Sequence, residues 1–245
     1  MTRFLAPAAS AHAGQVDTVL TLVHGLMFVL FAGWLLYFTW ALIRFRRARQ
    51  PVASYTGARG RFAFWTEVGV VVAEAVLLVV FALPLWYNRM ATQPADPGAV
   101  TLRVVAEQFA WNVHYPGADG KFGETLPSLV TPDNPLGLNR ASTYGHDDIV
   151  EIGEIHVPVN RQVVIQLSSK DVIHSFGVPA MRVKRDAIPG LLAPVWFTPT
   201  LTGLFEIACS QFCGLLHYRM RGVIVVESAE AFDQFLAAEG AAQAR

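Results

Sequence analysis

The chain has 245 residues, 19 Lys and Arg against 19 Asp and Glu, and 53% hydrophobic residues. A formal net charge of zero leaves no electrostatic footprint for a nucleic-acid partner. The mean hydropathy of +0.38 is high for a soluble domain, and the length suits one or two folded units.

The hydrophobic excess sits in two blocks near the N-terminus. Before them, residues 1–18 carry small-residue runs ("APAASAHAG") and no apolar core of signal length, which predicts an exposed tail. Val19 to Ile43 then reads "VLTLVHGLMFVLFAGWLLYFTWALI", 25 residues without Asp, Glu, Lys or Arg. A helix crossing the hydrocarbon core needs roughly 20 such residues, and Trp40 suits an interfacial anchor. A cleaved signal peptide is excluded because the stretch is too long, starts too late and leads directly into arginines. Residues 44–61, "RFRRARQPVASYTGARGR", hold Arg44, Arg46, Arg47, Arg49, Arg59 and Arg61 and no acid, which places this loop on the cytoplasmic side. The second block, Phe62 to Tyr87, is apolar apart from Glu67 and Glu74. An intramembrane carboxylate is costly unless neutral, paired or facing protein and water, so both acids are functional candidates. Glu67 is near enough to the cytoplasmic end to reach the interface or Arg61, whereas Glu74 is about two turns deeper. The two are candidates for a proton path from the cytoplasm, with a hydrogen bond to a neighbouring helix as the alternative role for Glu74.

The expected organisation is thus an exposed tail over 1–18, a transmembrane hairpin over 19–91, an outer domain over 92–228, and a C-terminal helix and tail over 229–245. The outer side corresponds to the periplasm of a bacterial inner membrane, where disulfides and copper are both available. From residue 101 onward there are 11 Lys and Arg against 15 Asp and Glu. That surplus of acid suits a basic partner and a merely solvated surface equally well.

The outer domain reads as β. Apolar, β-branched runs recur between turn signals in "VTLRVVAEQFAWNVHYPG", "DIVEIGEIHVPVNRQVVIQLSS", "DVIHSFGVP", "VWFTPTLTGLFEIACS" and "RGVIVVES", as in a small sandwich or barrel. A polar insertion over 119–148 is predicted as loop. "EAFDQFLAAEGAAQ" has helical spacing and ends the chain as a surface helix.

Both cysteines lie in "CSQFCGLLHYRM", residues 209–220. Cys209, Cys213, His217 and Met220 are spaced by four, four and three, which also fits one face of a helix. Strand-like "LFEIA" before it, "GVIVV" after it and Gly214 within it favour a loop between strands. A Cys209–Cys213 disulfide explains neither the His nor the Met. Thiolate, thioether and imidazole together favour copper over zinc. A further His from a distant strand is best supplied by His174 in "DVIHSFGVP", with His114, His146 and His156 as rivals. Two thiolates four residues apart can bridge a pair of coppers, each completed by one His and a weak axial ligand.

The two-helix hairpin with its basic loop, the β domain, and the motifs "DVIHSFGVP", "DAIPG" and "CSQFCGLLHYRM" together resemble subunit II of the haem–copper cytochrome c oxidases, over residues 17–228. The resemblance implies a cupredoxin-like barrel carrying the dinuclear copper A centre. It implies that Cys209 and Cys213 bridge two copper ions, that His174 and His217 bind one each, and that Met220 and the Gln211 carbonyl are axial ligands. It further implies electron transfer from cytochrome c or a similar soluble carrier to haem in subunit I, with oxygen reduction and proton pumping there, and subunit III as a further partner. No C-x-x-C-H haem attachment motif is present, so the donor is a separate protein.

Three positions depart from the family's pattern. Gln211 replaces the usual Glu, so magnesium at the interface with subunit I is not carried over. The aromatic run that receives electrons has Phe109 in its first place and Trp111 in its third. Phe62 stands where a Glu often precedes the Trp-Thr pair. A copper-A-bearing nitric oxide reductase subunit and a membrane-anchored copper-binding protein are the alternative functions. A quinol oxidase subunit shares the fold but typically lacks the copper ligands.

Overall fold

In a computed structural model, the described residues are 5–53, 55, 60–90 and 96–243. Arg59 of the basic loop and the predicted hairpin boundary at 91–92 lie outside them. The chain divides into two compact units.

The first unit contains the two apolar helices. α1 spans Ala13–Arg44, and a second helical stretch is built from α2 (Arg61–Val76), a π-helical turn (Leu77–Ala82) and α3 (Leu83–Met90). Each stretch is long and apolar enough to cross a membrane. The π turn has a local cause. Pro84 has no N–H, and its ring would press on the carbonyl four residues back. Just ahead of it, the wider turn lets the Leu83 N–H bond to the Leu78 carbonyl. Glu67 and Glu74 are both exposed on α2.

The second unit is a two-sheet sandwich. One sheet has the order β3-β2-β1-β5-β8, from Ile149–Ile152, Ala110–Tyr115, Val100–Glu107, Val163–Ser169 and Ala193–Phe197. The other has the order β4-β10-β9-β6-β7, from Glu154–Pro158, Arg221–Glu227, Gly203–Cys209, His174–Val178 and Val183–Ala187. β1 pairs in parallel with β5 and β10 in parallel with β4; the other named pairings are antiparallel. Period-two alternation sets the core. In β1 every second residue is buried, and Leu102, Val104, Trp111, Ile155, Ile165 and Phe176 meet between the sheets with no exposure. At roughly 25 cal/mol per Å² of apolar surface removed from water, this contiguous core is the main source of the domain's stability.

α4 (Ala229–Gln243), a helix where the sequence predicts one, packs against the same unit. Phe232 is buried, Phe235 stacks on His156 at 3.9 Å, and the Gln243 amide bonds to both main-chain groups of Val150.

The expected exposed tail over 1–18 is corrected in two ways. The helix begins at Ala13, and residues 9–12 before it are laid along the β unit. Ala9 N–H donates to the Ala180 carbonyl, Thr200 N–H to the Ala9 carbonyl, and the Ser10 hydroxyl to the Met181 carbonyl. Ala9, Ser10 and His12 are buried there. Main-chain bonds and small side chains hold this strap, so no apolar run announces it. The strand β7 also escapes the hydrophobic pattern, because "VKRDA" is an edge strand with only Val183 and Ala187 turned inward.

Candidate metal centre

The sheet β4-β10-β9-β6-β7 gathers the candidate ligands at one end. β9 ends at Cys209, β10 begins at Arg221, and the loop between them closes with a 3-10 turn at His217–Arg219. β6 runs beside β9, with Phe176 opposite Cys209, so His174 at its start lies next to the loop. The Ser210 N–H donates to the Ser175 carbonyl at 2.9 Å, and the Cys209 N–H to the Met220 carbonyl at 3.2 Å. These bonds bring the two ends of "CSQFCGLLHYRM" together.

Six donor atoms converge. Cys209 Sγ is 3.8 Å from Cys213 Sγ, 4.0 Å from His174 Nδ1 and 3.2 Å from the Gln211 carbonyl. Cys213 Sγ is 3.5 Å from His217 Nδ1 and 3.8 Å from Met220 Sδ, which is in turn 3.2 Å from His174 Nδ1. The ligand atoms of His174, Cys209 and Cys213 all lie within 4.8 Å of one another. A disulfide spans about 2.05 Å, and both cysteines are free.

Burial, followed by the adjacent Cys209, pushes the Cys213 thiol up to about 11. A cation bound beside Cys213 would offset that resistance to ionising. The donor chemistry therefore fits a soft metal, and copper above zinc because a thioether points inward beside the thiols.

The carboxylate of Asp171 supports this cluster. It accepts the His174 Nε2–H at 2.9 Å and the main-chain N–H groups of Val172 and Gln108, each at 2.7 Å. Partial burial raises the Asp171 pKa, but the His174 bond and these N–H groups outweigh it, and the net shift is downward. Holding the His174 proton on Nε2 leaves Nδ1 aimed at the sulfurs, the arrangement that orients a metal-binding imidazole.

Among the candidate histidines upstream of the loop, His174 is the one whose ring lies against the sulfurs. Of its rivals, His114 is buried against Asp148, His156 lies between Glu154 and Glu227, and His146 is beside Asp147. The aromatic candidates occupy different surroundings. Trp111 is fully buried, with its ring centroid 6.2 Å from that of His174. Phe109 is half-buried in the β1–β2 turn. Asp171 and Gln108 were not singled out from the sequence. An acid three residues before His174 was a readable signal for the first; nothing local marked the second.

Comparison with known proteins bears on the whole chain. Residues 100–229 match the family described as "Cytochrome C oxidase subunit II, periplasmic domain". The chain is 32% identical over 224 residues to the alternative cytochrome c oxidase subunit 2 of Bradyrhizobium diazoefficiens, covering 91% of this chain and 79% of that protein. It is also 32% identical over 250 residues to cytochrome c oxidase subunit 2 of Cereibacter sphaeroides, covering 94% and 80% respectively. Among solved structures, the periplasmic domain of subunit II of cytochrome oxidase from Bradyrhizobium japonicum aligns at 30% identity and a TM-score of 0.46, over 62% of this chain and 99% of that one.

Proposed function

The chain belongs to the cytochrome c oxidase subunit II family and is a subunit of a haem–copper cytochrome c oxidase; from that membership we propose that its β9–β10 loop and His174 hold a pair of copper ions that receive electrons from a soluble carrier. The observation that carries this reading is the convergence of two free thiols, two imidazole Nδ1 atoms and a thioether at one end of the sandwich. A mononuclear copper site needs a single thiolate, and the second cysteine is what favours a pair.

Cys209, Cys213, His174 and His217 would hold the copper through their Sγ and Nδ1 atoms. Met220 Sδ and the Gln211 carbonyl would complete the donor set. When bound, the pair supplies a one-electron relay between an external carrier, such as cytochrome c, and haem in subunit I. The chain's own residues hold that relay still: Asp171 fixes the His174 ring, and the core beneath Cys213 and Met220 keeps water away. Phe212, Leu215 and Tyr218 are 77%, 88% and 75% exposed beside the ligands, an apolar apron that supports docking of a protein partner there. Phe109 reaches solvent and is assigned to receiving electrons; Trp111, buried edge-on to His174, is assigned to coupling behind it. At position 211 the chain has no carboxylate for magnesium.

We place the basic loop 44–61 on the cytoplasmic side of a bacterial inner membrane and the β unit in the periplasm, in a complex with subunits I and III. Glu67 and Glu74, outward-facing on α2, are assigned to proton uptake in contact with subunit I.

The complex purified through this chain is expected to contain two coppers per chain at this site and to give a seven-line mixed-valence electron paramagnetic resonance signal beside its haem bands. A four-line signal from one isolated copper would overturn the paired assignment.

A further inference from the structure

The sheet hydrogen bonds do not reach the ligand Cys213. β6 and β9 pair only at Phe176–Cys209 and Gly177–Ala208, and β9–β10 pairing stops at Ala208–Arg221. Beyond Ser210, the main-chain hydrogen bonds of the loop are made within it, from His217 to Gly214, Arg219 to Leu216 and Met220 to His217. Among the described residues, and apart from the sulfur contacts within residues 209–220, one hydrogen bond ties the segment 211–216 to the rest of the domain. It comes from the side-chain amide of Gln108, whose Nε2 donates to the Cys213 carbonyl at 2.6 Å.

The same residue reaches the other ligand strand. Its main-chain N–H donates to Asp171 Oδ2 at 2.7 Å, and Asp171 Oδ1 accepts the His174 Nε2–H at 2.9 Å. Gln108 lies in the β1–β2 turn, on the opposite sheet, 105 residues from Cys213 and 63 from Asp171. We propose that Gln108 is the positioning residue of the metal centre, a bracket that sets Cys213 and His174 relative to one another across the two sheets.

Two features favour this role over incidental contact. The bond lands on the peptide that joins Cys213 to Gly214, so shifting it turns the Cα–Cβ direction that aims Sγ at His217 and Met220. The loop also fits closely against the bracket: a Cβ on Gly214 would come within 2.6 Å of Gln108 Nε2 and 3.2 Å of the Phe109 ring. The chemistry also specifies the side chain, because the Cys213 carbonyl needs an N–H donor and glutamine's length delivers one from the neighbouring turn. A glutamate of the same length would place a carboxylate oxygen against the carbonyl.

The test uses the assembled complex with Gln108→Met, which keeps length and volume but has no donor, and Gln108→Asn, which keeps the amide one methylene short. Neither removes the main-chain bond to Asp171. In the copper-depleted complex, alkylation of Cys213, followed on its peptide by mass spectrometry, is expected to run several-fold faster in both variants. In the copper-loaded complex, both are expected to keep parental copper content while the copper hyperfine pattern and visible bands change. Should Gln108→Met fail to assemble, the milder Gln108→Asn decides. Parental alkylation rates and parental spectra in an assembled variant overturn the proposal. The spectral arm rests on the copper reading above, whereas the alkylation arm does not. A parent complex without the paired-copper signal therefore defeats that reading and leaves Gln108 to be judged on alkylation alone.

Discussion

Gly214 has φ +139°, a backbone conformation that L side chains rarely adopt, and it packs against Gln108 and Phe109. Gly203 has nearly the same φ, +137°, but a Cβ there would meet its nearest neighbour only at 3.9 Å. The pair separates backbone strain from crowding. Strain of this kind costs of order 1–3 kcal/mol at either position, but only Gly214→Ala also pushes on the bracket at Cys213. Gly214→Ala is expected to lower copper occupancy several-fold at limiting copper, and Gly203→Ala to leave it near the parent value, as read by metal analysis of the purified complex. At this scale the sequence was informative wherever a residue type is chemically rare. Two cysteines with a His and a Met in register marked a group of soft donors that the fold brings together. A glutamine has no such signature, and its role depends on which carbonyl the fold brings to it.

The insertion over 119–148 shows what an element without regular structure can contribute. Apart from a 3-10 turn at Pro127–Leu129 it forms no helix or named strand, as its polar, Pro- and Gly-containing sequence predicts. Even so, its last residue is fully buried. Asp148 accepts the His114 ring N–H and the main-chain N–H groups of Gly117 and Gly123. Burial raises the Asp148 pKa, but the His114 bond and these N–H groups outweigh it and hold the carboxyl below its ordinary value. A depressed folded-state pKa contributes stability that is complete above the unfolded value and is lost as the pH falls through the folded one. The bond network should therefore weaken below about pH 4. Asp148→Ala strands three donors and is expected to cost about 3–5 kcal/mol at neutral pH. It should also flatten the acid limb of the stability profile, which urea unfolding at pH 7 and pH 3 checks. A mutant whose loss on acidification equals the parent's would refute this account.

In the assembled protein, Glu67 and Glu74 are seven residues apart on α2, close to two helical turns and so on one stripe, separated by about 10 Å along the axis. Both are exposed in this chain, and an exposed carboxylate at membrane depth is expensive unless another protein surface or water meets it. Proton uptake through contact with subunit I predicts that a Glu74→Gln oxidase loses several-fold in turnover and in the rate of cytoplasmic proton uptake, with copper and haem spectra unchanged. Normal uptake and turnover would remove Glu74 from the path.

The two apolar helices were determined by the sequence alone, and the loop of soft donors was marked out by it, because each rests on a local and nearly unambiguous signal. Twenty or more apolar residues have few soluble alternatives, and soft donors at short spacing have few uses besides metal. Strand alternation, likewise local, carried most of the sandwich. That the His174 ring, which the sequence already favoured over His114 and His156, lies against the cysteines follows from strand pairing, since of their three strands only β6 runs beside Cys209. The strap over residues 9–12, the edge strand β7 and the Gln108 bracket were also left to the tertiary structure. Each is held by main-chain groups or by single polar contacts between distant residues, and contacts of that kind leave no periodicity in the chain that makes them.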